Sequence, residues 1–189
     1  MDMFSYVMVL ASIIIGLAIT HLLQGLAGMV QHPGRAKPYW IHLVWVTYGL
    51  MQVTFWWWWE FRFQATHIWT FQLYAFVLGY AVLMYMLCAL LFPREVESIG
   101  SFKDYFYARR GWFFGVNAAS FAIDMIDTAL KGAAHFASLG PEYWFATAAN
   151  IGFSIAAIFI RNERFQGIWA IAALAYQLSW AIRFYDTVQ

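Results

Sequence analysis

The chain is expected to fold as an all-α integral membrane bundle of six transmembrane helices with both termini outside. Three observations predict this. Hydrophobic residues make up 63% of the 189 and charged residues only 11%, against about 25% in soluble domains, and the mean hydropathy is +0.60. Six apolar segments approach the ~20 residues that a helix needs to cross a bilayer. Lys and Arg gather in alternate connectors, as they do in polytopic membrane proteins. No hydrophilic stretch is long enough for a second, soluble unit, so residues 1–189 are read as a single membrane domain.

The first segment, 4–29, follows Asp2 rather than a basic region. Its apolar run exceeds the ~7–15 residues of a signal-peptide core, so it is expected to be a permanent span. Along it Ser12, Gly16, Thr20, Gln24 and Gly28 recur every four residues. Such a ridge admits a second helix, from this chain or from another copy. Two prolines and a glycine in 31–38 (QHPGRAKP) break the chain before the second segment, 39–59. That segment ends in Trp56, Trp57, Trp58 and Trp59, which point all round a helix and fit an interfacial aromatic belt. Trp40, Trp69, Trp112 and Trp144 mark other span ends in the same way.

The third segment, 69–92, stops at Pro93 and holds Cys88, the only cysteine, which leaves no internal disulfide and no Cys-based zinc site. In the connector 93–111, Ser101 and Asp104 have capping-box-like spacing, and Val96, Ile99, Phe102 and Phe106 suggest an apolar face. A short cytoplasmic interfacial helix within 94–110 is predicted, with Arg109 and Arg110 at anionic headgroups. The fourth segment is 112–130, the fifth (143–160) follows Leu139-Gly140-Pro141, and the sixth (167–185) follows RNER at 161–164. Connectors after segments one, three and five carry eight Lys or Arg and the opposite side three, which places those connectors in the cytoplasm of a bacterial-type inner membrane. Echoes such as Trp40, Gln52 and Arg62 against Trp169, Gln177 and Arg183 differ in spacing and do not establish a repeat.

The fourth segment carries the most informative pattern. Asn117, Ser120, Asp124, Asp127 and Lys131 stand at offsets of zero, three, seven, ten and fourteen. At ~100° per residue they fall within an arc of roughly 80°. Ionisable groups at bilayer depth are costly and usually face protein or a watered cavity. Taking Phe121 as the midpoint, Asp124 lies ~4–5 Å and Asp127 ~9 Å outward, with Lys131 near the interface. Two carboxylates one turn apart disfavour simultaneous ionisation and suit proton shuttling or cation binding. Arg183, ~10 Å outward on the sixth span, is level with Asp127, so an Arg–Asp pair is expected. Tyr176, Ser179, Arg183 and Asp186 on the sixth span, with Tyr143, Thr147, Asn150 and Ser154 on the fifth, complete a polar interior between spans four, five and six.

A second constellation is His21 with His42, ~7 and ~11 Å from the midplane on facing spans. Paired histidines suit a b-type haem or a metal ion, and His67 and His135 on the other side make a two-haem plan conceivable, though hydrogen bonding between helices is the commoner role. No other cofactor is expected.

A net charge of +1 argues against a nucleic-acid surface. The chain has no nucleophile elbow, no HExxH, no P-loop and no cysteine cluster, so it is not read as an enzyme. The leading expectation is a proton- or cation-linked polar pathway, transporter- or channel-like, through Asp124, Asp127, Arg183, Asn117, Ser120 and Lys131. The alternatives are an accessory or scaffolding subunit of a membrane complex and, third, a haem-binding redox protein. Membrane lipid is the expected partner throughout, with a homo-oligomer or a membrane-complex partner beside it.

Overall fold

A computed structural model describes residues 3–65, 68–93 and 100–184. The described chain is helical, with no strand. In order it forms α1 (Met3–Gln31), α2 (Trp40–Glu60), a 3₁₀ turn (Phe61–Ala65), α3 (Phe71–Ala89), α4 (Phe102–Leu130), the short α5 (Ala133–Ser138), α6 (Gly140–Phe159) and α7 (Glu163–Phe184). Four of these, α1, α3, α4 and α7, are long and apolar enough to cross a membrane, so the protein is membrane-embedded. Four helices meet this criterion rather than the six expected, because α2 and α6 fall below it. The difference has a chemical origin: α2 carries six tryptophans besides His42, Tyr48 and Gln52, and α6 carries Pro141, Glu142, Tyr143 and Asn150. Counting apolar runs credits aromatic amphiphiles fully, whereas hydropathy penalises their polar ends.

The helices alternate in direction. Val7 of α1 meets Val77 of α3, and His21 of α1 meets Phe92 just beyond α3, so α1 and α3 run parallel. Trp45 meets Trp169 and Gln52 meets Gln177, which sets α2 parallel to α7. Contacts of Arg110 with Ile158, Asn117 with Ser154 and Asp124 with Tyr143 set α4 antiparallel to α6. The close approaches need glycine. A Cβ on Gly25 would lie 2.3 Å from the Phe92 ring, and one on Gly167 would lie 2.6 Å from Trp40. The ridge predicted on the first span is not used this way: nothing lies within 4 Å of a Cβ built on Gly16 or Gly28.

The core is aromatic at one end. Trp45 packs edge-on to Tyr48, Phe113 and Phe114, with ring centroids 5.1–5.2 Å apart, and all four are buried. Aromatic contacts of this kind add ~0.5–1.5 kcal/mol each beyond area burial.

The expected interfacial helix is not a separate element over its described part. Ser101 does cap a helix, its Oγ accepting from the Lys103 amide at 3.1 Å, but that helix runs unbroken to Leu130. Residues 94–99, which include Arg94, Val96 and Ile99, lie outside the described residues, as do His67 and Asp186. The longer helix moves the midpoint of α4 from Phe121 to Val116. Asp124 and Asp127 then lie ~12 and ~16 Å from it along the axis, and Asn117 is central. Arg110 also departs from the headgroup role. It is buried, and its Nε and Nη2 donate to the Ile158 carbonyl at 3.1 and 2.7 Å. Gln166 donates to the Ala157 and Ile160 carbonyls, so two side chains satisfy the exposed end of α6.

Candidate functional site: a buried charge cluster and its cavity

The stripe on α4 is drawn together with residues of α2, α3 and α6. Lys131 caps α4, and its ammonium donates to Asp127 Oδ2 one turn back and to Glu60 Oε1 at the end of α2, 2.8 Å away. All three are sequestered: Glu60 is 0% and Asp127 1% exposed, and the Lys131 side chain is 4% exposed. Gly132, at φ 121°, and Gly140, at φ 68°, take left-handed conformations that let the chain fold sharply through α5 and into α6. Those turns bring His135 and Tyr143 beside the cluster.

One turn deeper, two phenols converge on Asp124. Tyr143 donates to Oδ2 at 2.8 Å and Tyr80 to Oδ1 at 3.3 Å, while Thr128 stands 3.1 Å from the Tyr143 hydroxyl. Donors on both oxygens suit a carboxylate acceptor. Deeper still, Tyr48 donates to Asn117 Oδ1 at 3.2 Å and Asn117 Nδ2 donates to Ser154 Oγ at 2.9 Å. Ser120 turns back on its own helix, donating to the Asn117 carbonyl. The aromatic layer of Trp45, Phe113 and Phe114 packs beyond Asn117.

The cluster borders a cavity of about 140 Å³, walled by α2, α3, α4, α6 and α7 and by His135 and Leu139. Asp124, Asp127 and Lys131 supply its charge, and Trp56, Trp59, Tyr143, Tyr176 and Trp180 much of its wall. Asp127 Oδ1, Glu60 Oε2, Gln177 Oε1 and Trp56 Nε1 have no hydrogen-bond partner among the described residues. Unpaired buried groups cost ~1–3 kcal/mol each, more when charged. Burial, with Arg62 and Lys131 nearby, lowers the His135 imidazole from 6.5 to about 4 and keeps it neutral.

Several expectations are corrected. Arg183 does not pair with Asp127. Its Nη1 and Nη2 donate to Glu142 at 2.8 and 2.6 Å, in a surface pair whose side chains are 41% and 43% exposed. Asp127 is claimed instead by Lys131, which lies on the same helix face and needs no second span to reach it. The polar interior extends past spans four to six into α2 and α3 through Tyr48, Gln52, Glu60 and Tyr80. His21 and His42 do not face each other across a vacancy. Each directs Nε2 at a carbonyl beyond α3, Phe92 at 3.1 Å and Leu91 at 2.6 Å, which occupies the nitrogen that a haem iron would take. The His42 ring also stacks on Phe102. Of the four consecutive tryptophans, Trp56 and Trp59 line the cavity and Trp58 is exposed.

Glu60 is the main residue that sequence reading missed. Its signal was present: a lone acid at the end of an aromatic-rich span, on the same side as Lys131. Among the described residues, no group of three or more His, Cys, Asp or Glu is arranged to hold a metal ion. Comparisons with family models, with curated proteins and with solved structures find no match for this chain.

Proposed function

We propose that the protein is a six-span membrane protein of the inner membrane, N-out and C-out, in which the Glu60–Lys131–Asp127–Asp124 cluster takes up and releases protons or a cation. The count of six is supported by packing. α2 runs along α7, and α6 runs along α4, so the two less hydropathic helices lie at the depth of helices that meet the spanning criterion. The orientation rests on the eight-to-three distribution of Lys and Arg.

One observation carries the functional reading: two buried carboxylates, Glu60 and Asp127, share one ammonium, and a third, half-buried Asp124, stands one turn away on two phenols. With all four groups ionised the site holds an excess of two negative charges in a medium where each ion costs several kcal/mol to desolvate. Protons or an external cation must compensate. The cavity beside Asp124, Asp127 and Lys131 and the packed aromatic layer around Trp45 beyond Asn117 support a binding site in preference to an open pore. Asn117, Ser120 and Ser154 extend the polar face toward the aromatic layer.

Proton and cation flux into liposomes tests the reading. Asp124→Asn keeps the shape of the site and is expected to abolish flux while the protein remains folded. Full flux in that variant overturns the assignment.

A second reading has its own support. The unpacked ridge of Gly16, Thr20, Gln24 and Gly28 on α1 offers a close-contact face to a second copy or to another membrane subunit. A stoichiometric partner on co-purification, with no flux from folded protein, favours an accessory subunit.

A further inference from the structure

We infer that the cavity binds a small organic ammonium, a protonated amine with a short apolar body. The inference rests on the cation-linked reading above and names the cation's chemical class. Three independent features of the walls point to it.

The first is the wall itself. Trp56, Trp59, Tyr143, Tyr176 and Trp180 line one space, and the faces of such rings attract cations at ~0.5–2 kcal/mol each. Arg62 already lies over Trp59 and Arg183 over Trp180, which leaves Trp56, Tyr143 and Tyr176 for a bound cation. An inorganic ion with a tight hydration shell gains little from such a lining, whereas an ammonium carried on carbon is matched to it.

The second is the set of unfilled acceptors. Asp127 Oδ1 and Gln177 Oε1 belong to residues that line the cavity, and neither oxygen has a partner among the described residues. Asp127 is 1% exposed, so bulk water does not satisfy it. Lys131 already occupies Asp127 Oδ2 and Glu60 Oε1. A second ammonium at the cavity would reduce the excess negative charge beside Asp124 and Asp127 and, with a rotation of the Asp127 and Gln177 side chains, reach the remaining acceptors. N–H donors are needed for this, which favours a primary amine over a quaternary one.

The third is size. A dry cavity of ~150 Å³ accommodates benzene, which has six heavy atoms, so about 140 Å³ suits an amine of roughly five or six.

The test is equilibrium dialysis of labelled n-butylammonium against the full-length protein in detergent, with empty micelles as blank and 1-butanol as the neutral isostere. Saturable butylammonium binding, with 1-butanol at least tenfold weaker, is expected. Asp127→Asn should weaken the amine tenfold or more. Because that change also disturbs the Lys131 pair, Tyr176→Leu and Gln177→Leu are measured beside it, and each should weaken the amine at least threefold. Equal binding of amine and alcohol, or no effect of any of the three substitutions, overturns the inference and leaves an unselective apolar cavity. Absent amine binding with Asp124-dependent proton or Na⁺ flux overturns the inference but retains the cation-linked reading. Absence of both removes the two together.

Discussion

Lys131→Met removes the only ammonium from the buried cluster and leaves the carboxylates of Glu60 and Asp127 facing each other. At 2.8 Å and an effective dielectric of ~20, a unit-charge pair attracts by about 6 kcal/mol gross, and Lys131 makes two such contacts. Most of this offsets the desolvation of three ions, so the net loss expected is the ~3–5 kcal/mol typical of breaking a buried pair on one side. The assay is unfolding of the purified protein in mixed micelles with increasing SDS, followed by circular dichroism. The triple substitution Glu60→Gln, Asp127→Asn, Lys131→Met discards the charges together and should recover most of the loss. Arg183→Met breaks the exposed pair with Glu142 and should leave the unfolding curve superimposable on that of the unchanged protein. A Lys131→Met loss below about 1 kcal/mol, or a triple variant no more stable than the single one, refutes the reasoning.

Other expectations follow from the same packing. Gly25→Ala drives a methyl into the Phe92 ring and should cost ~1–3 kcal/mol in the same assay, while Gly28→Ala, in open space, should be neutral or slightly stabilising. Asn117→Leu leaves Tyr48 and Ser154 without their shared partner and should cost ~1–3 kcal/mol. His135 should titrate by NMR near pH 4 rather than 6.5. The unfolded chain then takes up this proton first, so the His135 contribution is fully present above pH 6.5 and is lost as pH falls from 6.5 toward 4. His135→Gln should flatten stability across that window, and an NMR midpoint near 6.5 contradicts the assigned environment.

Periodicity made the α4 stripe legible. Asn117, Ser120, Asp124, Asp127 and Lys131 fall on one face by arithmetic alone, and that face does meet the cavity or the hydrogen-bonded interior. What periodicity does not contain is which neighbour each residue meets. Arg183 and Asp127 were matched by depth, but depth ignores rotation about the helix axis, and Glu142 lies on the Arg183 side. Glu60 was hidden because it stands alone at a span end, without a second polar residue at helical spacing to mark a face. The histidines were visible as buried polar groups. Their partners are backbone carbonyls beyond α3, which no side-chain pattern announces. The start of α4 was misplaced because Arg109 and Arg110 looked like a membrane boundary, whereas Arg110 is drawn inward by the unsatisfied carbonyls at the end of α6.

The most direct test of the central claim is the infrared carboxyl spectrum of the protein in bilayers as bulk pH is stepped. The charge excess in the cluster predicts a protonated-carboxyl band that grows and fades reversibly with pH. Asp124→Asn and Asp127→Asn should each alter it. A spectrum that is invariant with pH, or a pH-dependent band that neither variant alters, contradicts a proton- or cation-exchanging site and leaves the cluster as a fixed structural ion network.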